Sequence, residues 1–281
     1  MRIAVTGATG RLGGAVVHEI AAHGSVRPVA LTRRQPPEGL LPAAAEVRQA
    51  DYGDVDALHK ALDGVDTLVL VSSDGETAHV MTHHANLVGA AVAAGVSHIA
   101  ALSSVDADTA SPFCYAMANG YTEDLIRRSG IPYSLARASI YAEFFGHWLT
   151  TARTTGTLRL PAGDGRIALV SRADVGHALA ALALGAATGR HHDITGPAAP
   201  DVGEIAEITS RAWGVPVRYE ELTPAEYLAE TARAGEDPWW LYAFTSMFAS
   251  VREGRWAAVS GEYGRLTGRV PAALQDVLPA L

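Results

Sequence analysis

The fold of this chain is decided by its first segment, MRIAVTGATGRLGGAVVHEIAAHG, residues 1–24. The apolar run at residues 2–6 predicts a buried strand, and apolar residues at helical spacing from Leu12 onward predict a helix. Between the two lies a tight loop with glycine at positions 7, 10 and 13. Strand, glycine loop and helix in this order are typical of a dinucleotide-binding site, because backbone N–H groups at the helix start face a phosphate.

Each glycine of this loop has its own predicted role. Gly7 permits the sharp turn, Gly10 lets a pyrophosphate approach the backbone, and Gly13 lets helix and strand pack closely. We predict that three further loop residues contact the same ligand: Thr9, Arg11 and Leu12. Because the chain contains 28 glycines, an ordinary strand-to-helix turn remains the alternative interpretation.

Composition excludes several classes of protein. With 281 residues, 48% of them hydrophobic, the chain is long enough for one large domain with a sizeable core. A net charge of −8 argues against direct nucleic-acid binding, which requires a basic face. No apolar run approaches the ~20 residues of a membrane span, so we expect no membrane contact. The single cysteine, Cys114, can form no internal disulfide, which favours a reducing, cytoplasmic compartment.

Short apolar runs alternate with helical segments along the chain. Strands are predicted at 26–31, 46–50, 66–71, 98–102, 131–137 and 217–222, and helices at 55–62, 77–94, 115–128, 201–213, 223–234 and 237–251. This alternation predicts an α/β fold with a doubly wound parallel sheet, the Rossmann fold. We expect residues 1–150 to form the dinucleotide-binding domain. Residues 151–281 are expected to form a smaller C-terminal α/β substrate lobe, interleaved with the first and not an independent domain.

Polar residues follow the predicted strands where a dinucleotide would lie. Arg33 and Arg34 end the second strand beside the expected adenosine ribose, where guanidinium groups suit the 2′-phosphate of NADPH. A solvated basic loop is the alternative for this pair. Asp51 is predicted either to accept a hydrogen bond from adenine or, like Asp54, to cap the next helix. Four more strand-end residues are predicted to line the site: Tyr52, Ser72, Ser73 and Ser103.

Three segments resemble those of the NmrA-like, atypical short-chain dehydrogenase/reductases, especially the bacterial type 2 NAD(P)H:quinone oxidoreductases. They are TGATGRLG at 6–13, SGIPYSLAR at 129–137 and LPAGDGRIALVSRADVGHALAALAL at 160–184. The likeness runs from residue 1 to about residue 221, and the remainder matches poorly. The resemblance implies an NADPH-dependent reductase in which the loop of Ala138, Ser139, Ile140 and Tyr141 passes near the nicotinamide and Arg172 lies by the cofactor.

Two details of this resemblance matter. The family's Asn-Gly pair before the loop aromatic is Ala138-Ser139 here, which changes the expected nicotinamide contacts. For Arg172, pairing with Asp174 at the start of a helix is an equally good interpretation.

The proton relay of carbonyl-reducing short-chain enzymes is incomplete in this chain. Such enzymes use a Tyr-x-x-x-Lys pair and a serine on the preceding strand, and Tyr115 and Ser103 are the candidates here. Four residues beyond Tyr115 stands Asn119, and the only lysine is Lys60. Quinone reduction tolerates this loss, because a hydroquinone anion is delocalised and needs no poised acid. The sequence therefore predicts NADPH-dependent reduction of a quinone or similar conjugated molecule by direct hydride transfer, without flavin or metal.

Several alternatives remain open. NmrA-like proteins include dinucleotide-binding redox sensors without turnover, and a pathway-specific reductase or isomerase of an aromatic natural product fits the same cofactor. We leave open whether two copies form a homodimer. The spacing of Glu76, His79 and His83 could suit a metal, but a solvated helix face is simpler and we predict no metal site. The aromatic residues of 237–251 either line a pocket for a planar substrate or form core.

Overall fold

The computed structural model describes residues 1–73 and 75–281. Its strands are β1 (Arg2–Val5), β2 (Arg27–Thr32), β3 (Glu46–Gln49), β4 (Thr67–Leu70), β5 (His98–Ser104), β6 (Tyr133–Ala138), β7 (Thr157–Leu160), β8 (His191–Ile194) and β9 (Arg218–Glu221). Its helices are α1 (Arg11–Ala22), α2 (Val55–Ala61), α3 (Thr77–Ala93), α4 (Cys114–Ser129), α5 (Ala142–Thr155), α6 (Arg172–Leu184), α7 (Val202–Trp213), α8 (Pro224–Arg233), α9 (Pro238–Arg252), α10 (Glu262–Thr267) and α11 (Leu274–Val277), followed by a 3₁₀ turn (Leu278–Ala280).

Seven of the strands form one parallel sheet in the order β3-β2-β1-β4-β5-β6-β8. The order reverses between β1 and β4, so the sheet is doubly wound and the predicted Rossmann fold is confirmed. Side chains alternate between its two faces, because successive residues of a strand point to opposite sides. Ile3 and Val5 pack against α1 and α6, whereas Ala4 packs on the side of α2, α3 and α4.

The elements from α5 onward pack into two separate parts of the molecule. Helix α6 packs against α1 and the sheet, and β8 pairs with β6 at the sheet edge. By contrast, α5, α7, α9 and a small parallel sheet of β7 and β9 enclose a separate apolar cluster. Phe145 and Phe248 lie fully buried at the centre of that cluster. The chain thus passes from the main sheet into the lobe, returns to the main sheet with α6 and β8, and then forms the rest of the lobe.

Local sequence explains where several helices begin. Asp54 caps α2, since its carboxylate accepts a hydrogen bond of 2.9 Å from the N–H of Ala57. Asp201 and Thr223 start α7 and α8 with reciprocal capping boxes. Among the described residues, no helix combines the length and apolarity required to cross a bilayer.

Candidate functional site

A cleft of about 570 Å³ opens at the carboxyl ends of the parallel strands, beside the reversal between β1 and β4. This is the position at which open α/β sheets bind their ligands. Most residues predicted from the sequence to bind a dinucleotide line it: Gly7, Thr9, Gly10, Arg11, Leu12, Gly13, Arg33, Asp51, Tyr52, Ser72, Ser73, Tyr141 and Arg172. The others do not: Arg34, Ser103, Ala138, Ser139 and Ile140.

The glycine loop leaves no room for a side chain at position 13 and little room at position 10. Gly7 has φ +59°, a left-handed conformation that favours glycine. A Cβ on Gly13 would lie 2.2 Å from the carbonyl oxygen of Gly7, whereas one on Gly10 would lie 3.2 Å from it. The first N–H groups of α1 have no acceptor within their own helix, and the loop brings them to the cleft wall. Both features suit an anionic ligand at this helix start.

Hydrogen bonds hold the end of β4 against the end of β1. The N–H of Val71 donates to Oγ1 of Thr6 at 2.8 Å, and the Tyr52 hydroxyl donates to the Val71 carbonyl at 2.7 Å. Burial raises the pKa of Tyr52 above its usual range, so this phenol stays protonated. Thr6, directly after β1, and Tyr52, in the β3–α2 connection, therefore fix Val71 at the cleft.

Two adjacent histidines of α3 hold Ser73 at the cleft wall. Nδ1 of His83 lies 3.2 Å from the Ser73 hydroxyl, while Nε2 of His84 accepts from the Ser73 N–H at 3.3 Å. Nδ1 of His84 lies 2.7 Å from Oγ1 of Thr122, which itself donates to the carbonyl of Ala118. These contacts assign the proton of His84 to Nδ1. Burial lowers the pKa of His84 to about 4, so the imidazole that supports this loop is neutral at pH 7.

The cleft is cationic although the chain carries a net charge of −8. Arg11, Arg33 and Arg172 all line it. Within residues 1–73 and 75–281, none of these three guanidinium groups forms an ion pair with a carboxylate. Thr32 adds a hydroxyl that is buried at the cleft and has no hydrogen-bond partner in the described part of the chain. Arg34 is exposed and does not line the cleft.

Tyr141 and Arg172 form the part of the cleft beyond β4. The Arg172 guanidinium carbon lies 5.2 Å from the centre of the Tyr141 ring. The Glu143 carboxylate accepts from the Arg172 backbone N–H at 2.9 and 3.0 Å, and this fixes the start of α6. The alternative pairing of Arg172 with Asp174 does not form, because the Asp174 carboxylate accepts from the Ala272 N–H at 2.8 Å.

The three residues before Tyr141 turn inward. Ala138 ends β6, and the Ser139 N–H donates to the carbonyl of Ile194 in β8 at 3.0 Å. Ile140 is buried in the apolar cluster of the lobe. None of these three residues lines the cleft, so their predicted contact with a nicotinamide has no support in the lining. Their backbone nevertheless places Tyr141 in the cleft wall.

Both candidate catalytic residues are engaged elsewhere. The Ser103 hydroxyl donates to Glu123 at 2.6 Å, and Arg137 and Arg127 also bind this buried carboxylate. Burial opposes ionisation of Glu123, but hydrogen bonds from Arg137 and Ser103 leave its pKa below the usual value. The Tyr115 hydroxyl donates to the carbonyl of Gly75 at 3.1 Å. Neither residue lines the cleft, so geometry does not support either as a proton donor.

Tyr115 instead connects α9 to the segment between β4 and α3. Nε1 of Trp239 donates to its hydroxyl at 3.4 Å, and the two rings meet edge to face at 5.9 Å. Phe244 and Phe248 of the same helix are buried core, whereas Tyr242 is exposed. These aromatic residues do not line the described cleft.

The histidines considered as metal ligands stack instead. The Tyr52 and His83 rings lie 5.6 Å apart at 17°, and His79 continues the stack at 6.4 Å. In the part of the chain that the structure describes, no group of three or more His, Cys, Asp or Glu side chains is arranged to hold a metal ion.

Sequence reasoning missed several lining residues: Thr6, Leu31, Thr32, Ala50, Leu58, Val71, His83 and Leu102. Most lie at or near the carboxyl end of a strand, which is a position the strand prediction already indicated. His83 carried no such signal, because it reaches the cleft from the second turn of α3.

Comparison with known proteins assigns the family. The model of the NmrA-like family matches residues 1–239, so the chain belongs to this family. Quinone oxidoreductase 2 of Escherichia coli (strain K12) is 36% identical over 236 residues, which are 83% of this chain and 82% of that protein. The (4-alkanoyl-5-oxo-2,5-dihydrofuran-3-yl)methyl phosphate reductase of Streptomyces griseus subsp. griseus is 34% identical over 98% of this chain and 95% of that protein.

A solved structure extends the likeness to the whole fold. The crystal structure of an NADPH-dependent quinone oxidoreductase from Escherichia coli, complexed with NADPH, superposes with a TM-score of 0.91 at 32% identity. The match covers 99% of each chain.

Proposed function

We propose that this member of the NmrA-like family is an NADPH-dependent reductase of quinones and related conjugated carbonyl compounds. The observation that carries the proposal is the cationic cleft at the glycine loop of an acidic protein, whose three arginines form no ion pair with any described carboxylate. The Escherichia coli quinone oxidoreductase, which is similar to this chain in sequence and whose crystal structure contains NADPH, supports the choice of reaction and cofactor.

The residues of the cleft fit NADPH along its length. The N–H groups at the start of α1, with Arg11, suit the pyrophosphate, while Arg33 suits the 2′-phosphate. The unpartnered hydroxyl of Thr32 and the carboxylate of Asp51 lie on the adenosine side of the same cleft. When bound there, NADPH supplies a hydride. The chain's own contribution is to hold the cofactor and orient an acceptor against it.

The chemistry available favours conjugated acceptors. An isolated ketone becomes an alkoxide on reduction and needs a strong acid nearby. The Tyr-x-x-x-Lys pair is absent from the sequence, and the hydroxyls of Tyr115 and Ser103 are committed to Gly75 and Glu123. A quinone or enone forms a delocalised anion, which solvent can protonate.

A conjugated lactone is the second candidate substrate class. The Streptomyces griseus relative, whose name describes reduction of a dihydrofuranone phosphate, matches 98% of this chain, whereas the quinone oxidoreductase match spans 83%. A match over nearly the whole chain includes the lobe, in which we expect substrate specificity to reside. An enone of this kind accepts hydride at carbon and develops the same type of delocalised oxyanion as a quinone.

The test is steady-state oxidation of NADPH with a panel of benzoquinones, naphthoquinones and butenolides. We expect turnover with at least one class and little with simple aliphatic ketones. If NADPH raises the melting temperature but no acceptor oxidises it, the protein is a dinucleotide sensor and the proposal is wrong.

A further inference from the structure

We propose that the hydroxyl of Tyr141 donates a hydrogen bond to the acceptor oxygen that gains negative charge during hydride transfer. The inference rests on the reductase function proposed above and names the group that stabilises its product anion. Tyr141 would thus be a catalytic residue that acts without giving up its own proton.

The backbone holds Tyr141 at the reacting end of the cleft. The N–H of Ala142 donates to the carbonyl of Val170 at 2.8 Å, and the N–H of Val170 donates to the carbonyl of Ile140 at 3.0 Å. This bridge fixes Tyr141 directly after β6, in the second half of the doubly wound sheet. In such sheets the first half holds the adenosine and the second half the nicotinamide.

The Tyr141 hydroxyl differs from those of Tyr52 and Tyr219, because it has no hydrogen-bond partner among the described residues. Tyr52 donates to the carbonyl of Val71 at 2.7 Å, and Tyr219 donates to the carbonyl of Leu160 at 3.1 Å. The Tyr141 hydroxyl makes no hydrogen bond to any described residue, although its side chain lines the cleft. Partly buried hydroxyls normally find a partner, so a ligand is the natural acceptor for this one.

Electrostatics makes this phenol a donor rather than a titrating acid. Burial raises the pKa of Tyr141 above its usual range, although the nearby Arg172 acts in the opposite direction. The phenol therefore remains protonated at neutral pH. The Arg172 guanidinium over the ring withdraws electron density and strengthens the hydroxyl as a donor. Donors aimed at developing charge in a site shielded from water lower the barrier substantially.

The reaction balances without a protein proton relay. The acceptor takes one hydride, two electrons with one hydrogen nucleus, from NADPH, which leaves as NADP⁺. The resulting oxyanion takes its second proton from water. Tyr141 keeps its proton throughout, and this agrees with the absence of the lysine that would retune a tyrosine for proton transfer.

Tyr141→Phe tests the inference, because it removes only the hydroxyl and keeps the ring beneath Arg172. We expect kcat/KM to fall roughly 100-fold for tetramethylbenzoquinone, whose reduced oxyanion is strongly basic. For benzoquinones with electron-withdrawing substituents, whose oxyanions are weak acceptors, the loss should be smaller. The dissociation constant for NADPH, measured by calorimetry without any acceptor, should change less than about twofold, because the ring and Arg172 stay in place. Tyr219→Phe removes a hydroxyl from the lobe, away from the cleft, and is the matched control.

The outcomes separate this inference from the proposed function. Wild-type turnover together with an unchanged Tyr141→Phe variant would overturn the role of Tyr141 alone. An equal loss for every quinone would indicate a general structural defect and would also overturn it. Weaker NADPH binding as the main effect would assign the hydroxyl to the cofactor instead. Absence of turnover in the wild type with every acceptor would remove the proposed function, and Tyr141's role with it.

Discussion

The cleft has two halves, one at the carboxyl ends of β1–β3 and one at the carboxyl ends of β4–β6. The side chains of the first half lie close together in the sequence, whereas those of the second half come from distant segments. The first half, called the adenosine half because we propose that it binds the adenosine, takes its glycines and Arg11 from one local segment and adds Arg33 from the end of the next strand. The second half, called the nicotinamide half because we propose that it binds the nicotinamide, combines Leu102 with Tyr141 and Arg172, which come together only when Tyr141 pairs with Val170. The first half is therefore set by local spacing and the second by long-range packing.

This difference also separates binding from reaction. The adenosine half offers backbone N–H groups and two arginines, which suit fixed phosphates. The nicotinamide half offers one phenol and one guanidinium in mutual contact, which suit an acceptor whose charge changes. Substitutions in the first half should alter affinity for the cofactor, and those in the second should alter the reaction.

The largest effect is expected from Gly13→Ala. Its Cβ would lie 2.2 Å from the Gly7 carbonyl oxygen, so the loop must move or the helix must shift. We expect a loss of about 3 kcal/mol in the free energy of unfolding, measured with urea, and loss of NADPH binding. The control is Gly89→Ala on α3, where a Cβ meets nothing within 4 Å and helix propensity should even stabilise the protein. Equal effects of the two variants would contradict the packing account.

Arg33→Ala should weaken NADPH binding roughly 10- to 100-fold, because a charge-assisted hydrogen bond to the 2′-phosphate is lost. NADH binding should be almost unaffected. Arg34→Ala, which alters an exposed residue outside the cleft lining, should change neither affinity more than about twofold. Calorimetric titration of both variants with both cofactors decides the question. Equal losses for NADPH and NADH would refute the 2′-phosphate assignment.

His84 makes the stability of the Ser73 loop depend on pH. Its folded pKa, about 4, lies below the ordinary histidine value of 6.5, so the unfolded chain binds a proton first as pH falls. Stability should therefore decrease from pH 6.5 towards pH 4, by about 1 kcal/mol per pH unit. His84→Gln should reduce this slope, and a smaller slope should remain because burial also lowers the pKa of His98. His59→Gln, which alters an exposed residue of α2, should leave the profile unchanged. An undiminished slope in His84→Gln would place its origin elsewhere.

The smallest effect is expected from Tyr115→Phe. Its hydroxyl bonds Gly75 and Trp239 outside the cleft lining, so the variant should lose about 1 kcal/mol of stability. We expect kcat to stay within about twofold of the wild type in the quinone assay. A loss of ~10²-fold or more in kcat would instead restore Tyr115 as a proton donor.

The sequence predicted six of the seven strands of the main sheet, because five of them are short, mostly apolar runs and four of the six are followed by a helical pattern. It did not predict α5, β7 or β8, whose residues carry weaker periodicity and depend on packing within the lobe and against β6. In the site, the glycine loop and Arg33 followed from spacing alone. The inward turn of Ile140 and the approach of His83 did not, because each depends on how distant segments pack.

The central claim is that the cationic cleft at the glycine loop binds a phosphorylated nicotinamide dinucleotide. Isothermal titration calorimetry with NADPH and NADH tests it most directly. We predict one NADPH per chain, bound at least about tenfold more tightly than NADH through the 2′-phosphate. Absence of binding heat for either nucleotide, oxidised or reduced, across several temperatures would contradict the account.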